Sequence, residues 1–140
     1  MRFWDSSALM PLLVEELTTP FLAGVHEADP DLVVWWASVV ECVSVFARLQ
    51  RDGLPGQRVD MAVARLARFR AGWREILPSE EVRETAMRLL RVHPLRAAEA
   101  LQLAAGLYAA EGSPGTLEFV CLDARLGDAA HAEGFVVVRA

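Results

Sequence analysis

Short apolar runs separated by helical segments constrain the fold of this chain more than any other feature. The clearest runs are residues 2–5, 32–36, 118–122 and 135–138, and residues 73–77 could form a further short strand. Runs that are apolar throughout are typical of strands buried on both faces, as in parallel sheets covered by helices. The sequence therefore predicts an α/β fold with three layers, α/β/α, around a central parallel sheet.

Helical patterns fill the intervals between the predicted strands. The expected helical ranges are 6–16, 20–28, 38–52, 57–72, 80–91, 95–111 and 124–133. Pro11 is expected in the first turn of its helix, where proline is tolerated. The length of 140 residues is enough for one domain with its own core, and we predict a single domain over residues 1–140.

Four acidic residues occupy positions where apolar residues or turns are expected. Asp5 and Asp123 end apolar runs, whereas Glu41 and Glu99 interrupt apolar stretches of predicted helices. Ligand sites of open parallel sheets lie beyond the carboxyl ends of the strands, where Asp5 and Asp123 both fall. Because a carboxylate in apolar surroundings is costly without a positive partner, four converging acids would form a site for a hard divalent cation.

Each acid also has a structural explanation when it is considered alone. Asp5 and Asp123 could each cap the helix that follows, which is a common role for aspartate. Arg96 could form a local ion pair with Glu99. Glu41 has no cation three or four positions away in either direction. The four acids together therefore indicate a site more strongly than any one of them does.

The charge composition excludes several classes of function. The net charge is −5, and all 14 cationic side chains are arginine because the chain contains no lysine. Without lysine there is no Schiff-base chemistry and no P-loop lysine. The arginines concentrate in the middle third of the chain, as solvated helix faces or as a strip that faces phosphate groups.

The sequence contains neither a recognisable membrane span nor a signal-peptide pattern, which makes a cytoplasmic location the default expectation. No apolar run approaches the roughly 18 residues that a membrane span needs, and the N-terminus lacks the pattern of a signal peptide. We therefore expect a cytoplasmic location and no membrane association. Cys42 and Cys121 lie in apolar runs and are expected to be reduced core residues.

The stretches around the four acids resemble the motifs of PIN-domain nucleases, and within them the VapC-type toxins of bacterial toxin–antitoxin pairs. The four stretches occur in the family's order and span most of the chain. They are Phe3-Trp4-Asp5-Ser6-Ser7-Ala8-Leu9, Val40-Glu41 with Phe46-Ala47-Arg48-Leu49, Leu95-Arg96-Ala97-Ala98-Glu99-Ala100-Leu101-Gln102-Leu103-Ala104-Ala105, and Val120-Cys121-Leu122-Asp123-Ala124-Arg125-Leu126.

The resemblance implies a toxin that acts as a divalent-metal-dependent endoribonuclease, with Asp5, Glu41, Glu99 and Asp123 as its catalytic acids. The implied cofactor is Mg²⁺ or Mn²⁺, held by Asp5, Glu99 and Asp123, which would activate a water for attack on RNA. The implied substrate is single-stranded or structured RNA. The implied protein partners are a cognate antitoxin and a second copy of the chain in a homodimer.

One of two serines and one further acid are candidates for supporting roles. Ser6 or Ser7 would support Asp5 through a hydroxyl hydrogen bond, with Ser7 also a weaker candidate for direct contact with the metal. Asp128 lies just over one helical turn beyond Asp123 and is a reserve acid for the metal region.

Two positions depart from the family's pattern. Glu99 stands where the family usually has aspartate, and Gln102 stands where histidine is common. Because Mg²⁺ demands strict geometry, the departures keep open an alternative, a weakened PIN-like module that binds an antitoxin or RNA without cleaving it. A haloacid-dehalogenase-like phosphatase is disfavoured, because its second aspartate is replaced here by Ser7 and the chain has no lysine.

Overall fold

Five strands form one parallel sheet in the computed structural model, which describes residues 1–140. The strands are β1 (Arg2–Trp4), β2 (Leu32–Trp35), β3 (Arg74–Ile76), β4 (Glu118–Val120) and β5 (Val136–Val138). Their order across the sheet is β3-β2-β1-β4-β5, and every neighbouring pair is parallel. The predicted central parallel sheet is confirmed, including the short strand at residues 73–77.

Seven α-helices connect the strands and cover the sheet. They are α1 (Ser6–Leu13), α2 (Thr19–Ala28), α3 (Ser38–Arg51), α4 (Gly56–Gly72), α5 (Glu80–Val92), α6 (Ala97–Ala109) and α7 (Ala124–Ala132). A single 3-10 turn, Pro114–Thr116, precedes β4. None of the helices combines the length and the apolar character that crossing a lipid bilayer requires.

The alternation of side chains along β1 divides the core into two halves. Phe3 packs in a cluster with residues of α5, α6 and α7, such as Leu89 and Leu103. Trp4 points to the opposite face and packs with residues of α1 to α4, such as Leu9. Because successive strand residues face opposite sides of a sheet, the two clusters are the two helical layers. The predicted three-layer α/β/α architecture is confirmed.

The strand order places a crevice next to β1. After β1 the chain moves to β2 and then β3 on one side, and it returns to the other side of β1 to form β4. Phe3 is paired with Phe119 and Trp4 with Val120, so the carboxyl ends of β1 and β4 lie together. Ligand sites of open α/β sheets form at such points of reversal.

Helix α1 differs from the prediction at Pro11. The proline lies inside α1, beyond its first turn, and the helix ends at Leu13 rather than at residue 16. A proline inside a helix removes one backbone donor and crowds the preceding turn. Pro11 is also buried against the core. Tertiary packing therefore retains the proline at a position that local preference disfavours.

The close approach of α6 to the sheet depends on Gly106. A Cβ atom at this position would lie 2.8 Å from Phe119 Cε2 and 3.5 Å from Phe135 Cζ. We expect Gly106→Ala to lower the free energy of unfolding by about 1–3 kcal/mol, because the aromatic rings must shift. Gly24→Ala in α2, where nothing lies within 4 Å, should instead raise it by up to about 1 kcal/mol. Urea denaturation measures both; equal effects of the two substitutions would contradict the expectation.

Candidate functional site

One cavity beyond the carboxyl ends of β1 and β4 brings the four predicted acids together. The cavity has a volume of about 330 Å³, and we call it the acidic cleft. The polar residues that line it are Asp5, Ser6, Ser7, Glu16, Glu41, Arg48, Glu99, Gln102 and Asp123. The acids come from four separate segments of the chain, so only the folded topology makes them neighbours.

Each of the four acids stands at the N-terminal end of a helix. Asp5 and Asp123 are the N-cap residues of α1 and α7. Glu41 and Glu99 lie in the first turns of α3 and α6. The N-terminal end of a helix carries a partial positive charge that favours acidic groups. Four such ends meeting at one edge of the sheet explain how the fold tolerates four acids there.

Asp5 is the most buried of these acids, with 3 % of its surface exposed. Its Oδ1 accepts a hydrogen bond from the Ser7 hydroxyl at 2.8 Å, and its Oδ2 accepts one from the Ser7 backbone N–H at 3.2 Å. No basic side chain forms an ion pair with it. Burial therefore raises the pKa of Asp5 from 3.8 to about 6, although the hydrogen bonds from Ser7 oppose the rise.

The Ser7 hydroxyl joins the ends of β1 and β4. While its Oγ donates to Asp5, it accepts from the backbone N–H groups of Leu122 at 2.9 Å and Asp123 at 3.2 Å. Asp123 caps α7 by accepting from the Leu126 N–H through Oδ1 at 2.8 Å. Ser7 thus fixes the distance between the two aspartate-bearing segments.

Glu41 reaches the cleft from α3 and is held from two other helices. Its Oε2 accepts from the Ser6 hydroxyl at 2.6 Å, and its Oε1 accepts from Gln102 Nε2 at 3.2 Å. Of the two serines that could support Asp5, Ser7 does so and Ser6 contacts Glu41 instead. Glu41 has neither a capping hydrogen bond nor an ion pair, so the positive end of α3 is its only local helical stabilisation.

Glu99 lines the cleft, but its carboxylate is engaged by two donors. Oε2 accepts from the backbone N–H of Arg96 at 2.8 Å, and Oε1 forms an ion pair with Arg125 at 3.0 Å. The cation that pairs with Glu99 is therefore Arg125 and not Arg96, whose contribution is its backbone. In this arrangement no three of the acids lie close enough together to bind one ion.

The last predicted site residue, Asp128, lies away from the acidic cleft. It is exposed and pairs with Arg139 at 3.0 Å, and it lines a separate surface cavity next to His93. Five positions along a helix correspond to about 500° of rotation, so the Asp128 side chain lies on a different face from Asp123. The structure does not bring Asp128 together with the other four acids.

Three residues of the site were not assigned contacts from the sequence, although each lies at a recognisable spacing. Arg48 lines the cleft two helical turns after Glu41 on the same face of α3. Gln102, noted only as a departure from the family pattern, lies one turn after Glu99. Arg125 follows Asp123 by two residues. Helical spacing predicts which face these residues share, but not the partner that each one contacts.

The cysteine beside the cleft is a buried thiol and not a nucleophile. Cys42 and Cys121 are both free and buried, which confirms the prediction of reduced core residues. Burial raises the pKa of Cys42 to about 12 and that of Cys121 still further. The Cys121 thiol donates to the backbone carbonyl of Asp123 at 3.3 Å. Because the thiolate is the reactive form of cysteine, neither residue offers nucleophilic chemistry here.

Comparison with known proteins relates the chain to solved structures by fold. No protein-family model matches the sequence, and no curated protein matches it. A toxin–antitoxin complex from Klebsiella pneumoniae matches with a TM-score of 0.64 at 17% identity, over 99% of this chain and 96% of that chain.

Two further structures match with a TM-score of 0.68 each. PAE2754 from Pyrobaculum aerophilum is 17% identical over 99% of this chain and 89% of its own. FitAcB from Neisseria gonorrhoeae is 18% identical over 98% of this chain and 96% of its own. At these identities the likeness is one of fold, and the fold is one that also occurs in a toxin–antitoxin complex.

Proposed function

We propose that this chain is the toxin of a toxin–antitoxin pair and that it acts as a divalent-metal-dependent endoribonuclease. The observation that carries the proposal is the convergence of Asp5, Glu41, Glu99 and Asp123 on one cleft at the reversal point of the sheet. The fold shared with a toxin–antitoxin complex supports the same conclusion.

The donor chemistry of the cleft fits Mg²⁺ or Mn²⁺. Carboxylate and hydroxyl oxygens are the ligands that hard divalent cations prefer. Asp5 has no cationic partner, and burial raises its pKa to about 6. A cation at this point would offset the cost of ionising the group. Asp5 and Asp123, which Ser7 ties together, are the residues best placed to hold it.

Glu99 could join the metal site only by exchanging its present partners. Its carboxylate would have to leave Arg125 and the Arg96 N–H, to which it is now bonded. The side chain has one more methylene than the aspartate usual in the family, which gives it additional reach. We propose Glu99 as a ligand that turns toward the cleft when an ion is present.

The side chains of the cleft would have separate roles in phosphodiester hydrolysis. A divalent ion, when bound, supplies a Lewis acid that activates a water and neutralises charge on the scissile phosphate. Asp5 and Asp123 would hold that ion, and Ser7 fixes their two segments relative to each other. Glu41, fixed by Ser6 and Gln102, presents a carboxylate that can accept a proton from the attacking water.

Arg48 gives the cleft a contact for the RNA backbone. It is exposed at the cleft and has no carboxylate partner, so its guanidinium group is available to phosphate oxygens. A chain of net charge −5 needs such local cations, because phosphate contacts supply much of the affinity for nucleic acids. We propose that single-stranded or structured RNA enters the cleft past Arg48.

The proposal includes two protein partners. A cognate antitoxin would block the cleft, in keeping with the fold's occurrence in a toxin–antitoxin complex. A second copy of the chain would form a homodimer, as the motif resemblance implies.

Incubation of the purified chain with labelled RNA tests the proposed activity. We expect cleavage of a single-stranded or hairpin RNA when Mn²⁺ or Mg²⁺ is added. We expect no cleavage in EDTA or in buffer without added divalent metal. Single-stranded DNA of the same sequence is the matched control for substrate class. RNA that stays intact in both metals at protein concentrations far above the substrate would contradict the proposal.

The engaged Glu99 favours one alternative, a module of the same fold that binds an antitoxin or RNA without cleaving it. Glu99→Gln distinguishes the two. Glutamine can keep the hydrogen bond to the Arg96 N–H, so the melting temperature should stay nearly unchanged. If Glu99 is a metal ligand, loss of its charge should weaken Mn²⁺ binding in calorimetry and slow cleavage about 10-fold or more. Unchanged Mn²⁺ affinity would remove Glu99 from the metal site.

A further inference from the structure

The buried side chain of Gln102 reaches from α6 to Glu41 on α3. Only 1 % of its surface is exposed. Its Nε2 donates to the hydroxyl oxygen of Ser38 at 2.9 Å and to Glu41 Oε1 at 3.2 Å. Ser38, the first residue of α3, is itself fully buried. One amide group therefore bonds both to the start of α3 and to the acid one turn along it.

Glu41 is fixed on both of its oxygens by this arrangement. Gln102 holds Oε1 from α6, and the Ser6 hydroxyl holds Oε2 at 2.6 Å from α1. The other three predicted site acids, Asp5, Glu99 and Asp123, are held by helix-capping hydrogen bonds. For Glu41 the two side-chain hydrogen bonds are what define where the carboxylate points.

The orientation of the Gln102 amide follows from its neighbours. Reversing it would place Oε1 against the Glu41 carboxylate, with two acceptors facing each other and no proton between them. In the orientation that remains, Oε1 is buried and has no hydrogen-bond partner. A buried acceptor without a partner costs roughly 1–3 kcal/mol. Leucine, similar in size, would avoid that cost.

We propose that Gln102 is a positioning residue that holds the Glu41 carboxylate in the cleft for the reaction proposed above. The expected effect on kcat rests on the proposed function. The contact between Gln102 and Glu41 does not, since it can be measured without RNA. A buried acceptor that is left without a partner, on a side chain that orients a functional group, is typical of active sites.

The contact is tested by NMR of the glutamine side-chain amides. The Nε2 protons of Gln102 should exchange slowly with solvent, and their resonances should move in Glu41→Gln. The exposed Gln57 of α4 provides the internal control, whose amide resonances should stay in place. Gln102 resonances that are unchanged in Glu41→Gln would overturn the inference, whether or not the protein cleaves RNA.

The consequence for turnover is tested with Gln102→Leu, for which Gln57→Leu is the matched control. We expect kcat to fall on the order of 10–100-fold in Gln102→Leu, the usual effect of losing a residue that orients a site. KM should change little. The melting temperature should also change little, because leucine removes the unpaired Oε1 but leaves the buried Ser38 hydroxyl without its donor. Gln102→His, whose ring N–H can donate in place of the amide, should recover part of kcat.

The outcomes separate this inference from the proposed function. Wild-type activity with an equal kcat in Gln102→Leu would overturn the positioning role and leave the nuclease intact. A fall in kcat that matches a fall in melting temperature, without recovery in Gln102→His, would reduce Gln102 to a structural residue. A wild-type protein without any activity would overturn the proposed function. The Gln102 amide resonances would then show whether the contact with Glu41 exists.

Discussion

Asp5→Asn is expected to reduce RNA cleavage by at least about 100-fold, a loss typical of removing a group that stabilises charge in a transition state. Asparagine has nearly the same shape and can still accept a hydrogen bond from Ser7, so the local structure should persist. What it lacks is the negative charge that a divalent ion needs. Initial rates with a fluorescent RNA at saturating Mn²⁺ measure the effect.

Asp128→Asn is the matched control for this substitution. The same chemical change is made on an exposed residue that pairs with Arg139 outside the acidic cleft. Cleavage by Asp128→Asn should therefore equal that of the wild type. Comparable rates for Asp5→Asn and the wild type would reject Asp5 as a catalytic residue and, with it, the proposed arrangement of the cleft.

Asp5→Asn should also make the metal-free protein more stable at neutral pH. The pKa of Asp5 rises from 3.8 in the unfolded chain to about 6 in the folded one, so between these values the folded state binds more protons. Stability therefore falls as pH rises through this window and levels off above it. The contribution is about 3 kcal/mol at most, because each unit of pKa shift corresponds to about 1.4 kcal/mol.

Urea denaturation in EDTA at several pH values isolates this contribution. The difference between Asp5→Asn and the wild type cancels the other titrating groups. We expect Asp5→Asn to be more stable above pH 6 and the advantage to disappear near pH 4. Addition of Mn²⁺ at neutral pH should stabilise the wild type and not the variant. A stability difference that is constant with pH would show that Asp5 is not destabilised by burial.

The apolar runs were sufficient to predict the sheet, the two helical layers and the end of the sheet where the site lies. Strands that are buried on both faces cannot alternate polar and apolar residues, so their runs are visible without any knowledge of tertiary contacts. Asp5 and Asp123 could be placed at one edge because parallel strands end together. Helix α1 departed from its prediction because core packing, which the sequence does not display, retains Pro11.

Apart from the serine hydroxyl that bonds to Asp5, the partners of the acids could not be predicted. Glu99 is bonded to Arg125, a residue 26 positions away on another helix, and no local pattern connects them. Ser6 bonds to Glu41 and Ser7 to Asp5. Which serine contacts which acid depends on how α3 packs against α1. Such contacts are set by side-chain rotamers in the assembled cleft, whereas sequence periodicity defines only the face on which a residue lies.

The position of β4 in the sheet determines when during synthesis the acidic cleft can assemble. Because β4 pairs with β1, this edge of β1 has no partner strand until the ribosome has synthesised Glu118–Val120. Asp123 and the backbone amides that anchor Ser7 emerge later still. A nascent or prematurely terminated polypeptide that stops short of Asp123 therefore carries no assembled cleft, and the activity proposed above would require synthesis to proceed beyond that residue.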